Sequence, residues 1–226
     1  MYKTWHKGLP YKDRGRHTSR EGFERIIEYG RERYDDLEVA YNLVTASHET
    51  AGWLWPIREG AISAGPTYTD EQSIRAVTDL FNRGRISWNY ALPHKNGQSY
   101  YGRGLVQLTL LDNYKRFGDI LDVDLVDNPD AVLDWDNALF IMFHGIHNGS
   151  FTGRSFNEFI NRNTMEVSKR DMNRARSIVN ADRNREFGDT TIGNKIAENT
   201  LYTYEFLRGR IEGKEGLFEK IRSQFR

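Results

Sequence analysis

The chain has 226 residues, 38% hydrophobic and 13% aromatic, which suits one sizeable folded domain and excludes intrinsic disorder. Its 32 Lys and Arg balance 32 Asp and Glu, so net charge makes no case for a nucleic-acid partner. There is no cysteine, so no disulfide is needed, and no apolar run of about 18 residues, so no membrane insertion is expected.

Residues 1–17 lack period and read as an N-terminal arm without the apolar core of a signal peptide. Thr18-Ser-Arg-Glu21 reads as a capping box opening a first helix to about Tyr34. Leu37, Ala40, Tyr41 and Val44 then recur at helical steps, giving a second helix from about Asp36 to Thr50. Trp53 to Tyr68, with two Pro and two Gly, reads as loop or short strand. Thr69-Asp-Glu-Gln72 opens a third helix with Ile74, Val77, Leu80 and Phe81 inward, and Asn82 to Gly97 is loop. Two glycines flank Arg103, where the backbone turns sharply or approaches something closely.

Thr109 is an N-cap candidate for a helix ending before Gly118, and Asn128-Pro129 starts what reads as the central buried helix, through Ile146. His147 to Arg154 is loop. Ser155 starts a short helix to about Arg162, and Ser168 another, with Met172, Ala175, Ile178 and Val179 inward. Asn180-Ala-Asp-Arg183 breaks it. A long helix follows from about Thr191, and the tail, 213–226, adds an amphipathic turn with Leu217, Ile221 and Phe225. Between Arg154 and Glu186 eight basic residues face five acids, a surplus read as a solvated helix face. The expectation is one mainly α domain over 1–226, with at most a small irregular sheet near 55–70 and 98–108.

Chemistry concentrates at Ala46-Ser-His-Glu-Thr-Ala-Gly52. Glu49 ends a rigid helix, where the macrodipole disfavours a carboxylate, so helix stability does not explain it. Ten residues on stands Glu59, beside Arg58. Two carboxylates across a cleft are the minimum machinery for cleaving a glycosidic bond. Trp53 or Trp55 against Glu49 would keep it protonated.

Ser47-His-Glu-Thr-Ala-Gly-Trp53, Tyr100-Tyr-Gly-Arg-Gly-Leu-Val-Gln-Leu-Thr109, Asn113-Tyr114 and Asp127-Asn-Pro-Asp130 resemble family 19 glycoside hydrolases, which include plant-type chitinases and chitinase-like endolysins of bacteriophages. The resemblance covers roughly 37–183 and implies a lysozyme-like, two-lobed helical fold with a deep cleft. It implies Glu49 as general acid and, in the endolysin-like segment Pro56-Ile-Arg-Glu59, Glu59 as second acid. Thr69, or Thr67, stands where those endolysins carry a catalytic threonine. Gln107, Thr109 and Asn113 match positions that bind substrate or orient water. Tyr101 and Arg103 shape the cleft, and Asn180 closes it opposite Glu49. Plain structural alternatives exist: an N-cap for Thr69, a backbone-satisfying amide for Gln107, an ion pair for Arg103.

The resulting expectation is an endolysin-type peptidoglycan hydrolase acting on glycan strands of the bacterial wall. The alternatives are a chitinase on β-1,4-N-acetylglucosamine polymers, a one-acid lytic transglycosylase, and a non-catalytic wall-binding or virion protein. No cofactor is expected. A zinc motif fails because Gly52 stands where His48-Glu49 needs its second histidine, and His144 and His147 read as packed or hydrogen-bonded. A monomer suffices. Such an enzyme would wait in the host cytoplasm before release to the wall, or travel in a virion.

Overall fold

Helix α1 (Tyr11–Arg31) is followed by α2 (Asp36–Glu49), α3 (Asp70–Asn82), α4 (Leu111–Leu121), α5 (Trp135–Asn148), α6 (Lys169–Ala175), α7 (Ile192–Leu207) and α8 (Lys214–Ser223). They belong to a computed structural model that describes residues 11–61, 64–160, 167–210 and 214–224. Two small antiparallel pairs complete it: β1 (Ile57–Arg58) with β2 (Arg103–Gly104), and β3 (Glu186–Phe187) with β4 (Thr190–Thr191). The chain is mainly helical, and the first strand pair falls in the two stretches expected to hold a small sheet.

Asp35 starts α2 by accepting hydrogen bonds from the Leu37 and Glu38 amides at 3.1 and 2.9 Å. Every residue of α2 from Leu37 to Ser47 is buried. It packs on α1, α5, α7 and α8, so α2 is the central helix, rather than the segment after Asn128. That segment divides: Pro129–Leu133 is a 3-10 turn, and α5 begins at Trp135. The one charged group inside α2, Glu38, is held by His147 Nδ1 of α5 at 2.9 Å.

The end of α2 sets the site. The Gly52 amide donates to Ser47 O at 2.7 Å, and Ala51 takes left-handed backbone at φ 49°. The chain therefore turns off the helix directly after Glu49. The following loop lies on α1 at Gly22, where a β-carbon would fall 1.5 Å from Leu54 O. The tail read as an extension belongs to the core. Leu217, Phe218 and Ile221 of α8 are buried, and the Ser47 hydroxyl donates to Ile221 O at 2.6 Å.

Two apolar clusters result. The large one joins α1, α2, α5, α7 and α8; the small one gathers Val77, Ala91 and Tyr101, with Ile74, Ile86 and Tyr90 against it. The small cluster is too small to cover the stripe of α3. Leu80 and Phe81, expected inward, remain 39% and 42% exposed.

Several boundaries differ from expectation. Residues 11–17 lie within α1, and the Thr18–Glu21 sequence falls inside that helix. α4 is capped at Leu110 rather than Thr109 and runs through Gly118 to a left-handed Asp122. α5 continues through His147 to Gly149. The expected helix end near Arg162, and Phe225, lie outside the described residues.

Gly22 supplies the test of this packing. Glycine to alanine inside a helix ordinarily stabilises by about 1 kcal/mol. Here Gly22→Ala should instead destabilise by roughly 2 kcal/mol or more, because a backbone carbonyl occupies the β-carbon's place. Urea denaturation of the two proteins measures the sign.

Candidate active site

A cleft of about 600 Å³ opens where the two apolar clusters meet, between Tyr90 of the small one and Val106 and Leu108 of the large one. Glu49 and Glu59 both line it, with Gln107, Thr109, Asn113 and Asn180. Six residues singled out along 131 positions of sequence thus face one space.

Glu49 reaches the cleft from the last position of α2. Its partner is not an indole. Arg176 Nη1 donates to Glu49 Oε1 at 2.6 Å, and Arg176 Nε and Nη2 donate to Asp182 at 2.7 and 3.1 Å. The Arg176 side chain is only 1% exposed. Burial opposes its charge, but Glu49 and Asp182 outweigh burial and raise its pKa, so it stays a cation. Asp182 is treated likewise: burial pulls its pKa up, and the guanidinium more than reverses this. The Asn180 amide donates to Arg176 O at 3.1 Å, which places Asn180 on the same wall. Trp55 packs edge-on against Trp135, and the Trp53 ring lies on Gly65; neither lines the cleft.

Glu59 follows β1 and is gripped by neutral donors. Tyr90 Oη donates to Oε1 at 2.6 Å, and the Gly102 amide to Oε2 at 2.8 Å. Burial first, and then the Glu59 charge, push the Tyr90 pKa up, so its hydroxyl remains a donor. Gly102 is the residue that permits this approach, since a β-carbon there would fall 3.2 Å from Glu59 Oε2 and 2.9 Å from Gln107 Oε1.

Arg103 and Tyr101 lie beneath this grip, outside the cleft lining. Arg103 is buried, bonded to Asp130 at 2.8 Å and Asp70 at 2.9 Å, and stacked 3.8 Å from the Tyr101 ring centre. Asp130 also pairs with Arg58, so one carboxylate ties the arginine before Glu59 to the arginine after Gly102. Tyr101 Oη donates to Asp70 at 2.6 Å. Thr69 also stands outside the lining: its hydroxyl accepts from the Gln72 amide, and Gln72 returns the bond. Among the cleft residues, Gln107 Nε2 donates to Ile57 O and Gly104 O, both at 3.2 Å. Asn113 Nδ2 donates to Thr109 O at 2.8 Å, and the Thr109 hydroxyl to Gln107 O at 2.7 Å.

Four residues of the site were not found from sequence. Arg176 and Asp182 lay in a basic run read as solvated. Trp88 and Tyr90 lay in an aperiodic loop, though its aromatic content was a usable signal; Trp88 lines the cleft while 52% exposed. His144 stacks on Phe140, and no metal-binding group of acids and histidines occurs among the described residues.

Comparisons with known proteins bear on the family. A family model described as chitinase class I, glycoside hydrolase family 19, matches residues 18–145. The chain is 38% identical over 96 residues to Chitinase 3 of Oryza sativa subsp. japonica, covering 42% of this chain and 28% of that protein. It is 36% identical over 96 residues to Endochitinase 1 of Theobroma cacao, covering 42% and 27%, and 35% identical over 95 residues to Basic endochitinase of Vitis vinifera, covering 42% and 28%. The alignments thus span under a third of these relatives' length.

Replacing Arg176 by Gln should destabilise the fold by about 3–5 kcal/mol, since two acids lose a shared buried cation. The pH dependence should change too. Asp182 has a folded pKa below its ordinary 3.8, so its contribution is fully present above that value and lost as pH falls from there through the lower folded value. Unfolding midpoints followed from neutral pH down to well below 3.8 should show a flatter acid limb in Arg176→Gln than in the parent; parallel limbs would refute the coupling.

Proposed function

Because the chain belongs to glycoside hydrolase family 19, the chitinase class I family, we propose that it hydrolyses β-1,4 bonds in polymers of N-acetylated amino sugars, as a chitinase does. The observation that carries this reading is the pair of acids, Glu49 and Glu59, facing one cleft with different partners. Glycoside hydrolysis divides its work the same way: one carboxyl gives a proton to the leaving oxygen and the other acts on water or the sugar. Glu49 is the donor. Once its proton has left, Arg176 holds the carboxylate that remains. Glu59 is the base, kept in place by Tyr90 and the Gly102 amide while it draws a proton from water. Thr109 and Asn113 orient that water, and Gln107 and Asn180 hold the sugars. Thr69 supports the reaction by starting α3 rather than by touching substrate. Arg103 and Tyr101 hold the backbone under Glu59.

A second reading shares the bond and the acids: an endolysin-type enzyme cutting the glycan strands of bacterial peptidoglycan. It is favoured by the cysteine-free Pro56-Ile-Arg-Glu59 segment, which leads through β1 directly to Glu59. Clearing of permeabilised Gram-negative cells, beside release of reducing ends from colloidal chitin, separates the two polymers.

Glu49→Gln should lower turnover at least about a thousandfold while leaving the circular dichroism spectrum unchanged. An undiminished rate would remove Glu49 from the chemistry and favour a non-catalytic role. Glu59→Gln should also be inactive; an active Glu59→Gln would point to a transglycosylase, which uses one acid and no water. Tyr90→Phe removes one charge-assisted bond to Glu59 and should reduce kcat by roughly tenfold, with KM little changed.

A further inference from the structure

A second cavity lies beside the cleft. Phe151 lines the cleft and also lines this second cavity, of about 500 Å³. That cavity is built by Arg116 of α4 and by Gly149 to Gly153, the turn after α5. Gly149 ends α5 in left-handed backbone at φ 73°, and the Thr152 hydroxyl then donates to Ser177 O and Ile178 O, both at 2.9 Å. The turn is thereby fastened to the wall that carries Asn180. Phe151 packs on Phe117 and into the space left by Gly145, where a β-carbon would fall 2.3 Å from the ring. The ring is a fixed wall shared by the two cavities.

The two cavities differ in charge. The charged residues lining the first are both acids, Glu49 and Glu59, and the one charged residue lining the second is Arg116. Arg116 is exposed and donates one bond, from Nη1 to Ser150 O at 2.6 Å. No acid pairs with it among the described residues, whereas Arg58, Arg103 and Arg176 each have at least one. A guanidinium has five donors in a planar fork that matches a carboxylate. One carbonyl leaves most of that fork available.

We infer that the Arg116 cavity is an anion-accepting subsite, which takes a carboxylate carried as a substituent on the amino-sugar strand. The inference rests on the reading that the first cavity holds such a strand. A neutral polymer draws nothing from the cation. A strand bearing carboxylates gains a charge-assisted bond there, at a distance from the scissile linkage, so the gain falls on binding rather than on the chemical step.

Steady-state kinetics on two polymers of the same backbone provide the test: glycol chitin, which is neutral, and carboxymethyl chitin, which is anionic. The parent protein should show a KM roughly 3- to 10-fold lower on the anionic polymer at low salt, shrinking as salt rises. Arg116→Gln should bring the ratio of the two KM values close to one. Arg116→Lys, which keeps the charge but loses the planar fork, should show a preference between those of the parent and Arg116→Gln. If Arg116→Gln leaves the ratio at its parent value, the subsite is overturned while the glycosidase reading stands. If the parent cleaves neither polymer, both fall together.

Discussion

One buried cation holds this site in shape. Arg176 is taken almost wholly out of water and bonded to Glu49 on one side and Asp182 on the other. Isolated, such a charge would be expensive to bury, and it is offset only because two carboxylates meet it at good hydrogen-bonding distance. The same pairing answers a problem created by the fold. α2 delivers Glu49 at its C-terminal end, where the helix dipole repels a negative charge. The guanidinium removes that repulsion and fixes the rotamer. It also fixes the segment from Arg176 to Asp182, and with it Asn180 on the same wall of the cleft.

The second acid is held by other means. Glu59 meets a phenol and a backbone amide, both neutral, and its cations stand one layer back. Arg58 and Arg103 are occupied by Asp130 and Asp70, so they stiffen the backbone around Glu59 without touching its carboxylate. Two carboxylates in one cleft are thereby given unlike surroundings, one a full counter-charge and the other oriented dipoles. Unlike surroundings are what allow one fold to ask different protonation behaviour of the same functional group.

What was readable in the sequence followed from local rules. The apolar steps from Leu37 to Val44 and the turn at Gly52 located the end of α2, and so Glu49. The glycines around Arg103 marked the close approach that Gly102 makes to Glu59. The capping box at Thr69 was legible because its two bonds are made within four residues. What was not readable was decided over long distances. Arg176 has the composition of a surface residue, and only an acid 127 positions earlier in the chain makes it a buried one. Leu80 and Phe81 have the spacing of a core stripe, but the cluster beneath α3 has too little surface to cover them. Trp53 and Trp55 look like neighbours of Glu49 on paper, and the left-handed turn at Ala51 and Gly52 sends them elsewhere. The family match ends at residue 145, so the wall contributed by Arg176 and Asn180 lies beyond what that likeness covers.

The separation between Glu49 and its cation has a consequence for biosynthesis. A ribosome releases the acid more than a hundred residues before the group that secures it. During that interval the nascent polypeptide carries the Glu49 carboxylate without the guanidinium that aims it. The Glu49–Arg176 pair is therefore completed late in translation, and a prematurely terminated product that stops short of α6 would carry both acids without the wall that bears Arg176.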